Sequence, residues 1–132
     1  TSEKLKMTVG SLYTSDNERF VVNGRDITTG RPRSVAVSSP DIYECVKVFA
    51  DKVIEYTSMV LAKLPAEVSA SVWRGGIFLS GGGGKLIGLD DYMSRALQMD
   101  VTLADEPQMA VILGGGRTVG NDDILETVRI GY

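Results

Sequence analysis

Four consecutive glycines, Gly81 to Gly84, directly after the apolar run Ile77-Phe78-Leu79 and Ser80, constrain this chain more than any other stretch. The apolar run reads as a short strand buried in a sheet covered on both faces, and the glycines end it. Without Cβ atoms, Gly81, Gly82, Gly83 and Gly84 can take positive φ and bring bare backbone N–H groups against a ligand, and a following helix adds a partly positive N-terminus. A plain turn needs one or two such residues, and each extra glycine costs about 0.5 to 1 kcal/mol of conformational freedom. The combination suits a nucleotide. Two specific phosphate motifs are excluded by direct inspection. A P-loop requires a glycine ahead of the Gly84-Lys85 pair and a hydroxyl after it, where this chain has Leu79 and Leu86. A dinucleotide fingerprint begun at Gly81 or Gly82 would end on Leu86 or Ile87 instead of glycine.

Length and charge narrow the class. The 132 residues make one ordinary domain, and apolar and charged shares of 43% and 23% are those of a soluble globular protein. A net charge of −3 lends no support to nucleic acid as a partner. The charge is uneven: residues 1–38 carry six basic and four acidic side chains, and the remainder carries eight and thirteen. A small basic lobe facing a more acidic one is expected. A single cysteine, Cys45, allows no internal disulfide and suggests a reducing cytoplasm, and no apolar run is long enough to span a membrane. Histidine is absent, which removes the commonest general base and metal ligand, so no metal site and no catalytic residue is assigned.

In chain order, Leu5 and Val9 lie four apart with Glu3, Lys4 and Lys6 on other faces, as at the end of an amphipathic helix. That helix starts abruptly at the first residues, so the chain is expected to begin inside a larger fold. Ser11 to Asn17 is a polar connection. Arg19 to Ile27 and Arg33 to Ser38 alternate as strands of a hairpin, with a bulge expected at Gly24-Arg25-Asp26 and a turn at Thr28 to Pro32. Ser39 as N-cap and Pro40 as first helical residue open a long helix. Its apolar stripe is Ile42, Cys45, Val46, Phe49, Val53, Tyr56, Val60 and Leu64, and Pro65 stops it. Ala66 to Arg74 is a short helical turn, and Trp73 and Cys45 read as packing residues. Leu89 to Leu97 is a further helix and Asp100 to Leu103 a strand. Pro107 begins a helix that runs into Gly114-Gly115-Gly116, which either pack closely or end it. Residues 121–132 receive no assignment. The order of elements is an α/β pattern.

Against this background the string Ile77 to Gly83, followed by Leu86 and Gly88-Leu89-Asp90, resembles the adenosine motif of the actin-like ATPase superfamily. Glu3-Lys4-Leu5-Lys6 with Gly10-Ser11 is similar to the helix that lies against ribose and base in the bacterial MreB family. Gly24 to Arg33 resembles that family's β-hairpin, Ser38 to Asp41 the start of its next helix, and Asp105-Glu106-Pro107 with Ala110-Val111 the end of its fold. The likeness runs over about residues 2–120.

The resemblance implies part of the actin-like (ribonuclease H-like) fold, its second half only. Residues 1–38 would be the end of a small lobe, helix end plus hairpin, and 39–132 the large lobe with the glycine-rich adenosine loop. It implies an ATP site of which this chain holds one wall. Glu3 and Lys6 would bond the ribose or base edge, Lys4 and Leu5 would complete that helix face, and the backbone of Gly81, Gly82, Gly83 and Gly84 would pass the sugar and first phosphates. Mg2+ and the attacking water would belong mainly to a missing N-terminal half, so this chain alone would be inactive. Implied partners are that half, further copies in a filament, and cell-shape and wall-synthesis proteins. The filament would be cytoplasmic, with any membrane contact made outside this segment. A stand-alone scaffold domain with the actin-like shape and no nucleotide chemistry is the alternative.

Overall fold

The computed structural model describes residues 2–13 and 18–128, so the polar connection expected over Ser11 to Asn17 lies partly outside the described residues, as do residues 129–132. Helices and short strands alternate as α1 (Ser2–Val9), β1 (Arg19–Arg25), β2 (Pro32–Ser38), α2 (Ser39–Leu61), α3 (Ala66–Gly75), β3 (Ile77–Leu79), α4 (Leu89–Leu97), β4 (Val101–Leu103), α5 (Ala110–Val119) and α6 (Asp122–Val128). A 3-10 turn, Gly82–Lys85, separates β3 from α4.

β1 and β2 pair antiparallel in unbroken register, from Arg19 opposite Ser38 to Arg25 opposite Pro32. The bulge expected at Gly24-Arg25-Asp26 is therefore absent. Asp26 starts the turn instead, because its carboxylate accepts the N–H groups of Thr28 and Thr29 at 3.0 and 2.8 Å and offers the chain an alternative to the ladder. Gly30 completes the turn at φ 69°.

The long helix begins one residue earlier than the sequence suggests. Ser38, not Ser39, is the N-cap, in extended conformation at φ −96°, and Pro40 occupies the second helical position. The cause is Asp41, whose carboxylate reaches back to accept the Ser38 N–H at 2.9 Å and its hydroxyl at 2.5 Å. Those bonds, the hydroxyl first, hold the Asp41 carboxyl below the usual carboxylate range. At the other end α2 stops at Leu61, short of the expected Leu64. The N–H groups of Lys63 and Leu64 turn to the carbonyls three residues back, at 3.0 and 3.2 Å, as the chain tightens before a proline. α3 is a ten-residue helix, longer than the single turn expected.

β3 and β4 pair in parallel, Ile77 opposite Val101 through Leu79 opposite Leu103. The two-sided burial expected of β3 fails: Ile77 and Leu79 face the core while Phe78, on the other face, is 72% exposed. The core lies where α2 crosses α4 above that strand pair. It comprises Leu12, Ile42, Val46, Ala50, Leu89, Met93 and Val101. Each large side chain fully buried there contributes about 1.5 to 3 kcal/mol.

Only part of the expected α2 stripe reaches this core. Cys45 is exposed, Phe49, Tyr56 and Val60 are at least half exposed, and Trp73 on α3 is 56% exposed, so the packing roles expected of Cys45 and Trp73 do not hold. α5 begins at Ala110, not at Pro107, and continues straight through Gly114-Gly115-Gly116. A Cβ on any of the three would meet nothing within 4 Å, so they neither end the helix nor serve close packing among the described residues. α6, which the sequence left unassigned, opens with the Asn121 side chain accepting the Ile124 N–H at 3.1 Å. No described helix is long and apolar enough to cross a membrane.

Candidate functional site

The glycine run is held at both ends, and this decides what lies beside it. At its start Gly81 takes φ 81°, and its N–H donates to the Pro107 carbonyl, tying the loop to the β4–α5 connection. At its far end the Leu12 N–H donates to the Ile87 carbonyl at 2.8 Å, and Ser11 bridges to Ile87, which latches the segment after α1 onto the loop. Gly10 and Gly88 permit that approach. A Cβ on Gly10 would fall on the Lys6 carbonyl, and one on Gly88, at φ 81°, would come within 3.2 Å of the Tyr13 ring. α1 is thereby brought alongside the glycines.

The run itself divides by role. Of the four, only Gly81 has the positive φ that glycine favours. A Cβ on Gly84 would press Leu103 at 3.1 Å and Leu79 at 3.5 Å, so its smallness serves packing. Gly82 and Gly83 face open space, with Gln108 Nε2 at 3.4 Å and the Phe49 ring at 4.0 Å from where their Cβ atoms would stand. The helix expected to follow directly is displaced. The 3-10 turn intervenes, and α4 starts only at Leu89, so no α-helix N-terminus points at the glycines.

Between α1, the hairpin, the first half of α2 and the loop lies a cleft of about 1360 Å³. Glu3, Leu5 and Lys6 line one side and Gly82 and Gly83 another, so residues far apart in sequence meet there. Lys4, Gly81 and Gly84 are not among its lining residues. Lys85 and Gln108 are, and sequence reasoning missed both. Lys85 carried a signal, as the basic residue closing the glycine run. Gln108 carried none, since it arrives through the bond between Gly81 and Pro107.

Most charges in the cleft are matched locally. Lys6 pairs with Glu3 at 2.6 Å, and Arg33 with Asp26 at 3.2 Å. Arg25 Nε donates to the Gly30 carbonyl at 2.7 Å. The Thr29 N–H first, then its hydroxyl, holds the Asp26 carboxyl below its ordinary range. The remaining walls are apolar, from Val22, Val35 and Val37 of the hairpin and Ile42, Val46 and Phe49 of α2. An apolar slot with a few polar groups at its rim and bare glycine backbone along one edge suits a flat heterocycle carrying a polar tail.

Structural comparison defines the class. The chain superposes on MreB5 of Spiroplasma citri bound to ADP with a TM-score of 0.81 at 26% identity, over 99% of this chain and 40% of that one. The same protein bound to AMPPNP gives 0.81 over 97% and 38%. A non-polymerising MamK mutant bound to AMPPNP, at 21% identity and a TM-score of 0.60, shares the fold over 80% of this chain. The architecture is thus part of an actin-like fold.

Sequence comparison gives the family. Residues 1–127 match the MreB/Mbl protein family, and the chain belongs to it. It is 35% identical over 126 residues to the cell shape-determining protein Mbl of Bacillus cereus, and 29% identical over 120 residues to the cell shape-determining protein MreB of Escherichia coli. These matches span 95% and 90% of this chain but only 38% and 35% of the relatives' lengths.

Proposed function

We propose that this chain forms the adenosine-side wall of the ATP site in a polymerising, cytoplasmic MreB-like protein that sets bacterial cell shape. The observation that carries this reading is the cleft that unites Glu3 and Lys6 with the open backbone of Gly82 and Gly83. The binding of ADP and AMPPNP by the structurally similar MreB5 supports the same ligand here. In this reading residues 1–38 end the small lobe and residues 39–132 form the large lobe of the fold's second half. A separate N-terminal half, corresponding to length that the relatives have and this chain lacks, completes the site, holds Mg2+ and positions the attacking water. Further copies associate into the filament.

The roles follow from chemistry. The Glu3–Lys6 pair is 70% and 53% exposed, so it opens at little cost and presents an acceptor and a donor to the ribose and base edge. Leu5 supplies apolar contact, and Lys4 completes the helix without facing the cleft. Gly82 and Gly83 let the sugar approach the backbone, while Gly81 and Gly84 shape the loop through φ and packing. Without the other half the phosphates lack most of their clamp, so affinity should be millimolar or weaker.

ADP titrated into the chain and followed by amide chemical shifts tests this. Gly82, Gly83 and the residues of α1 should move together along one saturable curve. If neither segment responds at tens of millimolar ADP, the reading falls and the scaffold alternative takes its place.

A further inference from the structure

We propose that Lys85 is the phosphate-selective contact of this cleft, an inference that rests on the adenosine reading above. The side chains lining the cleft include the acids Glu3, Asp26 and Asp41 and the cations Lys6, Arg25, Arg33 and Lys85. All but one are engaged within the chain. Glu3 holds Lys6, Asp26 holds Arg33, Arg25 is bonded to the Gly30 carbonyl, and Asp41 caps α2 through Ser38. Among the described residues Lys85 has no ion pair and no side-chain hydrogen bond. It is therefore the uncompensated charge of the cleft.

Its sign matters because the chain as a whole is acidic, at −3, so a surplus cation at this spot is not a by-product of general basicity. Walls built from Val35, Val37, Phe49 and Leu86 keep water away from one side of the cleft, and a charge beside low-dielectric surface projects further than one in bulk solvent. An ammonium on a flexible stem is a point-charge binder of phosphate that needs no fixed fork geometry. Lys85 also sits at the right place. It ends the 3-10 turn that Gly82 opens, so a nucleotide whose sugar passes Gly82 and Gly83 brings its anionic end within reach. Lys6, engaged with Glu3 on the opposite wall, is left to the sugar and base. The cleft thus separates recognition of adenosine, by α1 and the glycines, from recognition of the phosphates, by Lys85.

Adenosine, ADP and inorganic pyrophosphate titrated into wild-type chain, Lys85→Met and Lys85→Arg at low and moderate salt test the division. Lys85→Met should weaken ADP and pyrophosphate about tenfold at low salt, flatten their salt dependence, and leave adenosine affinity and the thermal midpoint unchanged. Lys85→Arg should restore ADP. Unchanged ADP affinity in Lys85→Met, or an equal loss of adenosine, overturns the assignment. So does failure of the wild type to bind either ADP or pyrophosphate, whereas adenosine binding alone would still uphold the adenosine site. Lys85-dependent pyrophosphate and ADP binding without any adenosine binding upholds Lys85 and removes the adenosine reading instead.

Discussion

Two neighbouring glycines separate binding from packing within one loop. At Gly82 an added Cβ meets only the tip of the flexible Gln108 side chain at 3.4 Å, and φ is not positive, so Gly82→Val imposes no strain on the chain itself. Its branches project into the cleft, and ADP affinity should fall tenfold or more, about 1.4 kcal/mol, with the urea midpoint kept. Gly84→Val should do the opposite. Its Cβ would press Leu103 and Leu79, and overpacking of that kind costs about 1 to 3 kcal/mol. Measuring affinity and midpoint for both variants checks the division; wild-type ADP affinity in Gly82→Val would reduce the loop to a turn. This division was not legible in the sequence, where the four glycines look alike. The α2 stripe shows the same limit. Periodicity found Ile42 and Val46, but it passed over Ala50, which is fully buried, and included Cys45 and Tyr56, which are exposed. Spacing marks which side chains share a face. It does not say whether anything in this chain covers that face.

Elements were more readable than their ends. The hairpin, the long helix, the strand before the glycines and the Leu89 to Leu97 helix all form about where their patterns place them, because period and turn chemistry act locally. The boundaries moved where one side chain outcompeted the pattern, as Asp41 did at Ser38 and Asp26 at the hairpin turn. Core burial makes α4 the element most sensitive to truncation. Leu89 is 3% exposed, and Leu89→Ala should cost about 2 to 5 kcal/mol, read from urea unfolding. The end of α4 offers a gain. Gln98 takes the left-handed conformation at φ 54°, which disfavours a Cβ, so Gln98→Gly should raise stability by about 1 kcal/mol in the same measurement. The caps and turns also set a pH dependence. The carboxyls of Asp26, Asp41 and Asp51 are all held below their ordinary range, Asp51 chiefly by the Tyr92 hydroxyl at 2.7 Å and then by Lys47. A depressed folded-state value means the carboxylates favour the folded chain above the unfolded value near 4, and that this contribution is lost as pH falls through the lower folded values. Thermal midpoints measured downward from pH 6 should therefore drop below about pH 4, and Asp41→Asn should make that drop shallower.

At the scale of the whole molecule the cleft is a contact between sequence ends that no local pattern specifies. Glu3 meets Gly82 only because Leu12 bonds to Ile87 and Gly81 to the Pro107 carbonyl, so the residues of the site were named from their family likeness and their proximity emerged from the fold. The chain spans 38% of the length of Mbl, and phosphoryl transfer depends on what that length must still supply. There is little covalent chemistry for a protein to perform in that reaction; rate comes from gripping the phosphates, neutralising developing charge and aligning the attacking water. The cleft has no side chain free for the last task. It has no histidine, Asp26 and Asp41 are engaged in turn and cap, and Glu3 is paired with Lys6. Lys85 can attract a phosphate but cannot orient water on the far side of it. The purified chain with ATP and Mg2+ should accordingly release phosphate no faster than buffer alone, even at nucleotide concentrations high enough to occupy the cleft. Saturable release that disappears in Gly82→Val would show that this segment, alone or as a dimer, assembles a complete catalytic site.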